Sequence, residues 1–182
     1  FRCNACRSFF SVPARFEGYA DLGHVNSIGW HLKGLRYNQM KVQALFALIH
    51  RQGWARRADR RFLDIGCALG HSLKEAEHWG YQAYGFEPEQ TSAAYARDVT
   101  GVNVVQGYFR YGALDGMKFD VVMLDNVLEH VPEPRALFSE ISRTLRPKGI
   151  LFLGVPPVEW IRRLTSISWV MPARRPTINW RG

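Results

Sequence analysis

The sequence predicts a single α/β domain built on a mostly parallel sheet. Five short apolar segments alternate with segments whose apolar residues recur at helical spacing, and glycine or proline marks many boundaries between them. Strands that alternate with helices require crossover connections, which are right-handed and place helices against the sheet. The chain has 182 residues, of which 47% are hydrophobic, enough for one well-buried core.

The first predicted elements are a helix and a strand. Helical spacing places several apolar residues on one side of a helix predicted over residues 37–52, which Gly53 ends. These residues are Met40, Leu45, Leu48 and Ile49. Residues 61–65 form a short apolar strand that runs into Gly66. Residues 1–30 mix aromatic residues, glycine and proline without a sustained period, which predicts an irregular lead-in segment.

The later elements continue the alternation. They are a helix over residues 72–79 closed by Gly80, a strand over 81–87, a helix over 88–98 with Pro88 near its first turn, a strand over 102–106, the most apolar strand over 119–124, a helix over 134–145 stopped by Pro147 and Gly149, and a strand over 150–155. Five strands and their helices are therefore expected between residues 31 and 156.

Composition limits the class of protein. The formal net charge of +8 attracts anions at long range without specifying which anion, and three cysteines cannot form a dense disulfide framework. No run of about 18 apolar residues and no signal-peptide pattern is present, so we expect a cytoplasmic protein without a membrane span. The chain begins with Phe1 instead of Met, and its terminal segments look unfinished, so a fragment is expected.

The most informative stretch joins the first strand to the next helix and reads FLDIGCALG over residues 62–70. Gly66 lacks a side chain, so that a ligand can approach the backbone, and Gly70 permits tight packing at a helix start, where free N–H groups favour a carboxylate. Asp64 could receive an ammonium group. Glu87 ends the second strand, where it can accept hydrogen bonds from both hydroxyls of a ribose. Together these groups imply an amino acid joined to a nucleoside.

Four motifs resemble, in order, those of class I S-adenosylmethionine-dependent methyltransferases. LDIGCALG (63–70) is similar to the first motif of that family, and GFEP (85–88) is similar to its ribose-binding acidic motif. FDVVMLDNVLEHV (119–131) resembles its fourth strand and following loop, and LRPKG (145–149) resembles the entry into its fifth strand. The resemblance implies a Rossmann-like, doubly wound fold with helices on both faces of the sheet.

The same resemblance implies S-adenosylmethionine as the cofactor and assigns residues to it. Adenine would lie near Pro88 and the backbone of residues 107–109, with aromatic packing from Tyr108 or Phe109. Asp125 and Asn126 would border the methionine part. The implied cofactor-binding residues are Asp64, Gly66, Cys67, Ala68, Gly70, Glu87, Pro88, Tyr108, Phe109, Asp125 and Asn126.

Some features depart from the family pattern or have simpler interpretations. Ala68 stands where many members have glycine, and the turn over residues 107–115 lacks an acidic residue at its start for the adenine amine. Asp64 and Asp125 could merely cap helices, and Glu87 could be a solvated carboxylate at a strand end. Cys67 could be only a small buried side chain.

His130 is the candidate catalytic residue. Methyl transfer mainly requires that the acceptor is aligned with the electrophilic methyl group, and many such enzymes add only a nearby base. An imidazole titrates near physiological pH, and the loop that carries His130 would face the cofactor. A packing or ligand-orienting role is the alternative for this residue.

The two ends of the chain carry further candidates. Cys3 and Cys6 have the spacing of one zinc knuckle, and they look like the second half of the zinc ribbon that precedes some similar methyltransferases, although a structural site needs four ligands. Residues 157–182 hold five Arg, one Glu and three Trp and could form a lid over the acceptor. The resemblance predicts two further strands after such an insertion, and whether they are present stays open. Several tail arginines permit an anionic acceptor: Arg162, Arg163, Arg174 and Arg175.

The sequence therefore favours methyl transfer from S-adenosylmethionine to an oxygen, nitrogen or carbon atom of a small or medium acceptor. A truncated or inactive cofactor-binding domain is the second hypothesis. A nicotinamide-dependent oxidoreductase would need G-x-G-x-x-G spacing, which residues 66–70 do not supply. A nucleic-acid-binding module that uses the basic tail would leave the ordered motifs unexplained.

Overall fold

The structure is a computed structural model that describes residues 27–54, 58–155 and 169–172. Over these ranges the helices are α1 (Ser27–Arg51), α2 (His71–His78), α3 (Gln90–Tyr95) and α4 (Pro134–Thr144). The strands are β1 (Arg61–Ile65), β2 (Gln82–Glu87), β3 (Val104–Gln106), β4 (Phe119–Asp125), β5 (Leu145–Gly154) and β6 (Trp169–Pro172). A π-helical turn, Ala96–Thr100, extends α3, and a 3-10 turn spans Leu128–His130.

The strands form one sheet in the order β3-β2-β1-β4-β5-β6. The first five strands are parallel, and β6 pairs antiparallel with β5. The prediction of a mostly parallel α/β sheet is therefore confirmed. Strand order reverses between β1 and β4, and the crevice beyond the carboxyl ends of strands at such a point is where open α/β sheets bind ligands.

Side-chain alternation along the central strands builds a hydrophobic core on each face of the sheet. On one face, Phe62 and Met123 pack with α1, α2 and the start of α3, and on the other, Leu63 and Leu124 pack with α4. Central strands that are buried on both faces read as near-continuous apolar runs, as β4 does. Helices on both faces complete the doubly wound arrangement.

Helix α1 begins earlier than predicted. It starts at Ser27, so the predicted irregular lead-in is wrong for residues 27–30. The prediction that Met40 shares one side of the helix with Leu45 and Ile49 is also wrong, because Met40 is 61% exposed and the other two are buried. Met40 precedes Leu45 by five residues, which is about 140° around a helix. The buried face consists of Val42, Leu45, Phe46 and Ile49.

Two other boundaries differ from the predictions for local reasons. Helix α3 begins at Gln90 because Glu89 caps it, with its carboxylate accepting the backbone N–H groups of Thr91 and Ser92. Pro88 therefore precedes the cap. Strand β5 begins at Leu145, five residues before the predicted start, because Leu145 pairs with Phe119 ahead of an irregular stretch in the pairing.

The segment expected as a surface tail contains a strand. The backbone of Trp169–Pro172 pairs with Ile150–Leu153, so β5 has a neighbour on both sides. The resemblance predicts two further strands after the tail, whereas this strand lies within the segment assigned to the tail. No described helix combines the length and apolarity needed to cross a bilayer.

Replacing Phe46 by alanine is expected to destabilise the fold by about 3–5 kcal/mol. The ring is fully buried and lies 5.2 Å from the Phe62 ring and 5.0 Å from the Tyr81 ring, centroid to centroid. Urea unfolding would measure the loss. Met40→Ala, on the exposed side of the same helix, should change the free energy of unfolding by less than about 0.5 kcal/mol; equal losses would contradict the packing of α1.

Candidate active site

The turn that joins β1 to α2 has three residues in the left-handed region. Gly66, Ala68 and Gly70 have φ values of 79°, 47° and 76°. The N–H groups of Gly66 and Cys67 both donate to the carbonyl oxygen of Phe86 in β2, at 2.8 and 3.0 Å. The turn is therefore fastened to the end of the neighbouring strand, and Ala68 accepts a backbone conformation that favours glycine.

The two glycines of this turn are required by packing inside the chain. A Cβ atom on Gly66 would collide with Val127, and one on Gly70 would lie 2.5 Å from Val102 Cγ2. Cys67 is 5% exposed and packs against Gly85, and burial raises the pKa of its thiol well above the usual range. The Cys67 side chain is therefore only a small buried group, as the alternative interpretation expected. Only the backbone of Cys67 can contact a ligand.

Asp64 is a buried carboxylate with one unsatisfied oxygen. Its residue is 3% exposed, and Oδ2 accepts a hydrogen bond from the Ser72 hydroxyl. Oδ1 is buried and has no hydrogen-bond partner in the described part of the chain. Burial raises the pKa of Asp64 to about 7. Gly70 occupies the N-cap of α2 without any side-chain cap, so Asp64 does not serve as a helix cap.

Glu87 lies at the carboxyl end of β2, beside Asp64. Its Oε2 accepts the Ala68 N–H at 2.9 Å, and its Oε1 accepts the Glu89 N–H at 2.9 Å. Glu87 is only 5% exposed, which rules out a solvated strand-end carboxylate, and burial raises its pKa. A carboxylate oxygen has two lone pairs, so both oxygens can accept one more hydrogen bond.

Asp125 ends β4 and carries an ion pair that the sequence did not predict. Lys41 of α1 donates to its Oδ2, and both side chains are 15% exposed. Gly154 on β5 has no room for a Cβ atom because Asp125 Oδ1 fills that place. The next residue, Asn126, is exposed with φ at 55° and donates its N–H to the Gly154 carbonyl at 2.9 Å. Asp125 thus joins α1 to the sheet edge and caps no helix.

His130 lies on the 3-10 turn that follows β4. Its Nε2 is 4.0 Å from Glu129 Oε1, and the two side chains are 48% and 27% exposed. Burial raises the pKa of Glu129, and the nearby charge of Asp125 raises it further. The turn therefore brings an imidazole and a carboxylate to the same edge of the sheet as Asp125.

The residues expected near adenine divide into two groups. Phe109 is 8% exposed and packs edge-on against Phe86 at 5.2 Å, so its ring belongs to the core. Tyr108 is 56% exposed, and Pro88 is half-buried beside Glu87. Of the two aromatic candidates, Tyr108 is the one whose ring is available for stacking.

Sequence reasoning missed three residues at this edge besides Ser72. Lys41 and His31 come from α1, and His71 follows Gly70 at the start of α2. The His71 Nε2 atom is buried without a partner among the described residues, and burial lowers the pKa of both histidines. No local motif marks His31 and Lys41, because only the packing of α1 brings them to the strand ends. His71 directly follows the first motif, which places it there.

The described residues contain no cluster suited to hold a metal ion. Among residues 27–54, 58–155 and 169–172, no three His, Cys, Asp or Glu side chains are grouped to hold a metal ion. Cys3 and Cys6, the predicted zinc-knuckle pair, lie outside the described residues.

Comparison with known proteins gives one family and one fold. A family model described as a methyltransferase domain matches residues 36–181. Ubiquinone biosynthesis O-methyltransferase of Xanthomonas axonopodis pv. citri (strain 306) is 34% identical over 103 residues, which are 53% of this chain and 43% of the relative. The same enzyme of Rhodopseudomonas palustris (strain BisB5) is 27% identical over 104 residues, 55% of this chain and 41% of the relative. The matches thus span less than half the length of these curated relatives.

Solved structures share the architecture at low identity. The plantazolicin methyltransferase BpumL, in complex with a pentazolic desmethylPZN analog and SAH, has a TM-score of 0.62 at 15% identity and covers 75% of this chain and 54% of its own. SAM-bound CalS10, an amino pentose methyltransferase from Micromonospora echinaspora, has a TM-score of 0.56 at 24% identity, with coverages of 71% and 58%. These similarities support the fold.

Replacing Asp64 by asparagine is expected to stabilise the protein in a pH-dependent manner. Burial raises the folded-state pKa of Asp64 from 3.8 to about 7, so its favourable contribution is present below pH 4 and is lost as the pH rises through 7. A shift of one pKa unit corresponds to about 1.4 kcal/mol, so the variant should gain about 4 kcal/mol at pH 8 and little at pH 4. Urea unfolding between these pH values would measure it, and a gain independent of pH would contradict the raised pKa.

Proposed function

Because this chain belongs to the methyltransferase domain family, we propose that it transfers the methyl group of S-adenosylmethionine to an oxygen, nitrogen or carbon atom of a small or medium acceptor. One observation carries the proposal. Two buried carboxylates, Asp64 and Glu87, end adjacent parallel strands beside the point where strand order reverses, and the glycine turn lies between them.

The residues at this edge fit S-adenosylmethionine. The unsatisfied Oδ1 of Asp64 is suited to accept a hydrogen bond from an ammonium group, since a buried carboxylate oxygen without a partner is costly. Glu87 has lone pairs left for two ribose hydroxyls, and Tyr108 offers an exposed ring to adenine. Asp125 borders the position assigned to the methionine part. When bound, the sulfonium supplies an electrophilic methyl group.

The remaining chemistry belongs to the acceptor side. We assign His130 as the base that takes the proton of the acceptor, because its half-exposed imidazole lies on the turn after β4. The Glu129 carboxylate lies 4.0 Å from the Nε2 atom of His130. The curated relatives are O-methyltransferases by name, so oxygen acceptors are the first to test.

Other parts of the proposal concern residues outside the described ranges. The tail over 157–182, apart from β6, is assigned as an acceptor lid whose arginines suit an anionic acceptor. Cys3 and Cys6 are assigned to half of a zinc ribbon, and the low cysteine content suits a reducing cytoplasm. Neither assignment is needed for cofactor binding at the strand ends.

Glu87→Ala is expected to weaken S-adenosylmethionine and S-adenosylhomocysteine binding about tenfold to a hundredfold, because hydrogen bonds to a charged acceptor are lost. Calorimetric titration of the purified chain would measure the affinities, with circular dichroism to verify folding. Glu133→Ala, at an exposed position, is the matched control. Binding of NADH instead, or no binding by a folded wild-type chain, would argue against the proposed reaction.

His130→Gln is expected to lower kcat about a hundredfold while the affinity for S-adenosylhomocysteine stays unchanged. The substitution removes the titrating group and preserves a polar side chain of similar length. Formation of S-adenosylhomocysteine would be followed with any phenol or catechol that supports turnover by the wild type. An unchanged kcat would assign His130 to packing or ligand orientation.

A further inference from the structure

Helix α1 presents an exposed face that carries positive charge and no acidic residue. The helix spans 25 residues, Ser27–Arg51, without any Asp or Glu. Its apolar side packs on the sheet, and exposed residues recur three and four positions apart on the opposite side, so they share one face. This outer face of α1 consists of Lys33, Arg36, Tyr37, Met40, Ala44, Ala47 and Arg51.

The three cations of the outer face have no partner inside the described part of the chain. Lys33, Arg36 and Arg51 are exposed, and no described ion pair or side-chain hydrogen bond engages them. Lys41, by contrast, points toward the sheet and donates to Asp125. The outer cations are spread over about 27 Å of helix, at 1.5 Å per residue. Their charge is therefore directed outward along most of α1.

Apolar side chains lie between these cations. Tyr37 and Met40 are 60% and 61% exposed. Leu32, at the border of the outer face, is 42% exposed, so α1 carries three of the seven exposed large hydrophobic side chains in the described part of the chain. Cations that alternate with apolar groups are complementary to a surface that is negatively charged outside and apolar beneath, which is the structure of an anionic lipid bilayer.

A face that serves only for solubility usually mixes both signs of charge. The neighbouring helix α2 does so, since Lys74 pairs with Glu77 at 3.1 Å and Glu75 accepts a hydrogen bond from Gln43 at the border of α1. The outer face of α1 departs from this pattern over its whole length. Because its cations share one side of a single helix, contact along a flat bilayer engages all three at once.

We propose that the outer face of α1 docks the protein on an anionic lipid bilayer. Lys33, Arg36 and Arg51 contact the lipid phosphates, while Tyr37 and Met40 enter the region between the head groups. Three cations give weak attachment, so docking is reversible and sensitive to salt. Lys41 on the same helix contacts the end of β4, so docking places the candidate site beside the bilayer. The inference goes beyond the proposed function and does not depend on it.

Vesicle flotation with the full chain tests the proposal. Vesicles of phosphatidylcholine with phosphatidylglycerol should bind the protein, and vesicles of phosphatidylcholine alone should not. The triple variant Lys33→Gln, Arg36→Gln and Arg51→Gln should weaken partition to the anionic vesicles about tenfold or more, because each cation near the surface contributes to binding. The double variant Tyr37→Ser and Met40→Ser should also weaken it, without loss of the salt dependence.

The matched control removes three exposed cations from other elements and changes the net charge equally. It is the triple variant Arg97→Gln, Arg110→Gln and Lys148→Gln, which should change partition less than about threefold. Both triple variants should keep the wild-type Tm and the wild-type affinity for S-adenosylhomocysteine, since none of the six residues is assigned to the candidate site. Equal weakening by both variants would show that only net charge acts and would overturn the proposal.

Other outcomes also overturn the docking role of α1. They are equal binding to neutral vesicles, no binding of the wild type to anionic vesicles, and full binding by the α1 triple variant. Binding to poly-glutamate without binding to vesicles would assign the outer face to an acidic protein instead. A wild-type chain that floats with anionic vesicles but does not bind S-adenosylhomocysteine would contradict the proposed function and leave the docking role intact.

Discussion

The hydrogen bond from the Ala68 N–H to the Glu87 carboxylate is the contact on which the site depends. Together with the two N–H groups that donate to the Phe86 carbonyl, it fixes the turn after β1 against the end of β2. The turn needs this support, because Ala68 has a positive φ that costs about 1–2 kcal/mol for a residue with a Cβ atom. The start of α2 and the remaining lone pairs of Glu87 follow from this contact, whereas Asp64 is held by the pairing of β1 with its two neighbours.

The site is electrostatically costly to build. Asp64 and Glu87 are buried, and burial raises the pKa of each, while Asp125 adds a third carboxylate at the same edge. Only the Ser72 hydroxyl, backbone N–H groups and Lys41 offset these charges among the described contacts. Buried polar groups that lack a partner occur mainly at functional positions, where a bound ligand supplies the missing interaction. The unsatisfied Asp64 oxygen is such a group.

Much of this architecture could be predicted from local signals. The bounds of β1 were predicted correctly, and Asp64, Glu87 and Asp125 lie at the strand ends where the motifs placed them. Apolar runs and glycine turns can be recognised within a few consecutive residues. The contact between Lys41 and Asp125 joins residues 84 positions apart, and β6 forms by pairing with β5, so neither has a local signal. The outward side of Met40 and the buried ring of Phe109 likewise depend on tertiary packing. The spacing of apolar residues along the sequence does not reveal such long-range contacts.

The proposed cofactor site is held by paired strands, whereas the proposed acceptor side is held by a turn. This difference explains why the sequence reveals the first and not the second. The residues of the proposed cofactor site lie at strand ends that backbone hydrogen bonds join, so these residues must keep their spacing along the chain. The base proposed for the acceptor side, His130, lies on the 3-10 turn after β4. Turns and loops tolerate change without loss of the sheet. The motifs consequently reveal the proposed cofactor site, whereas exposed side chains such as Tyr37 and Met40 can vary independently of the fold and leave no motif in the sequence.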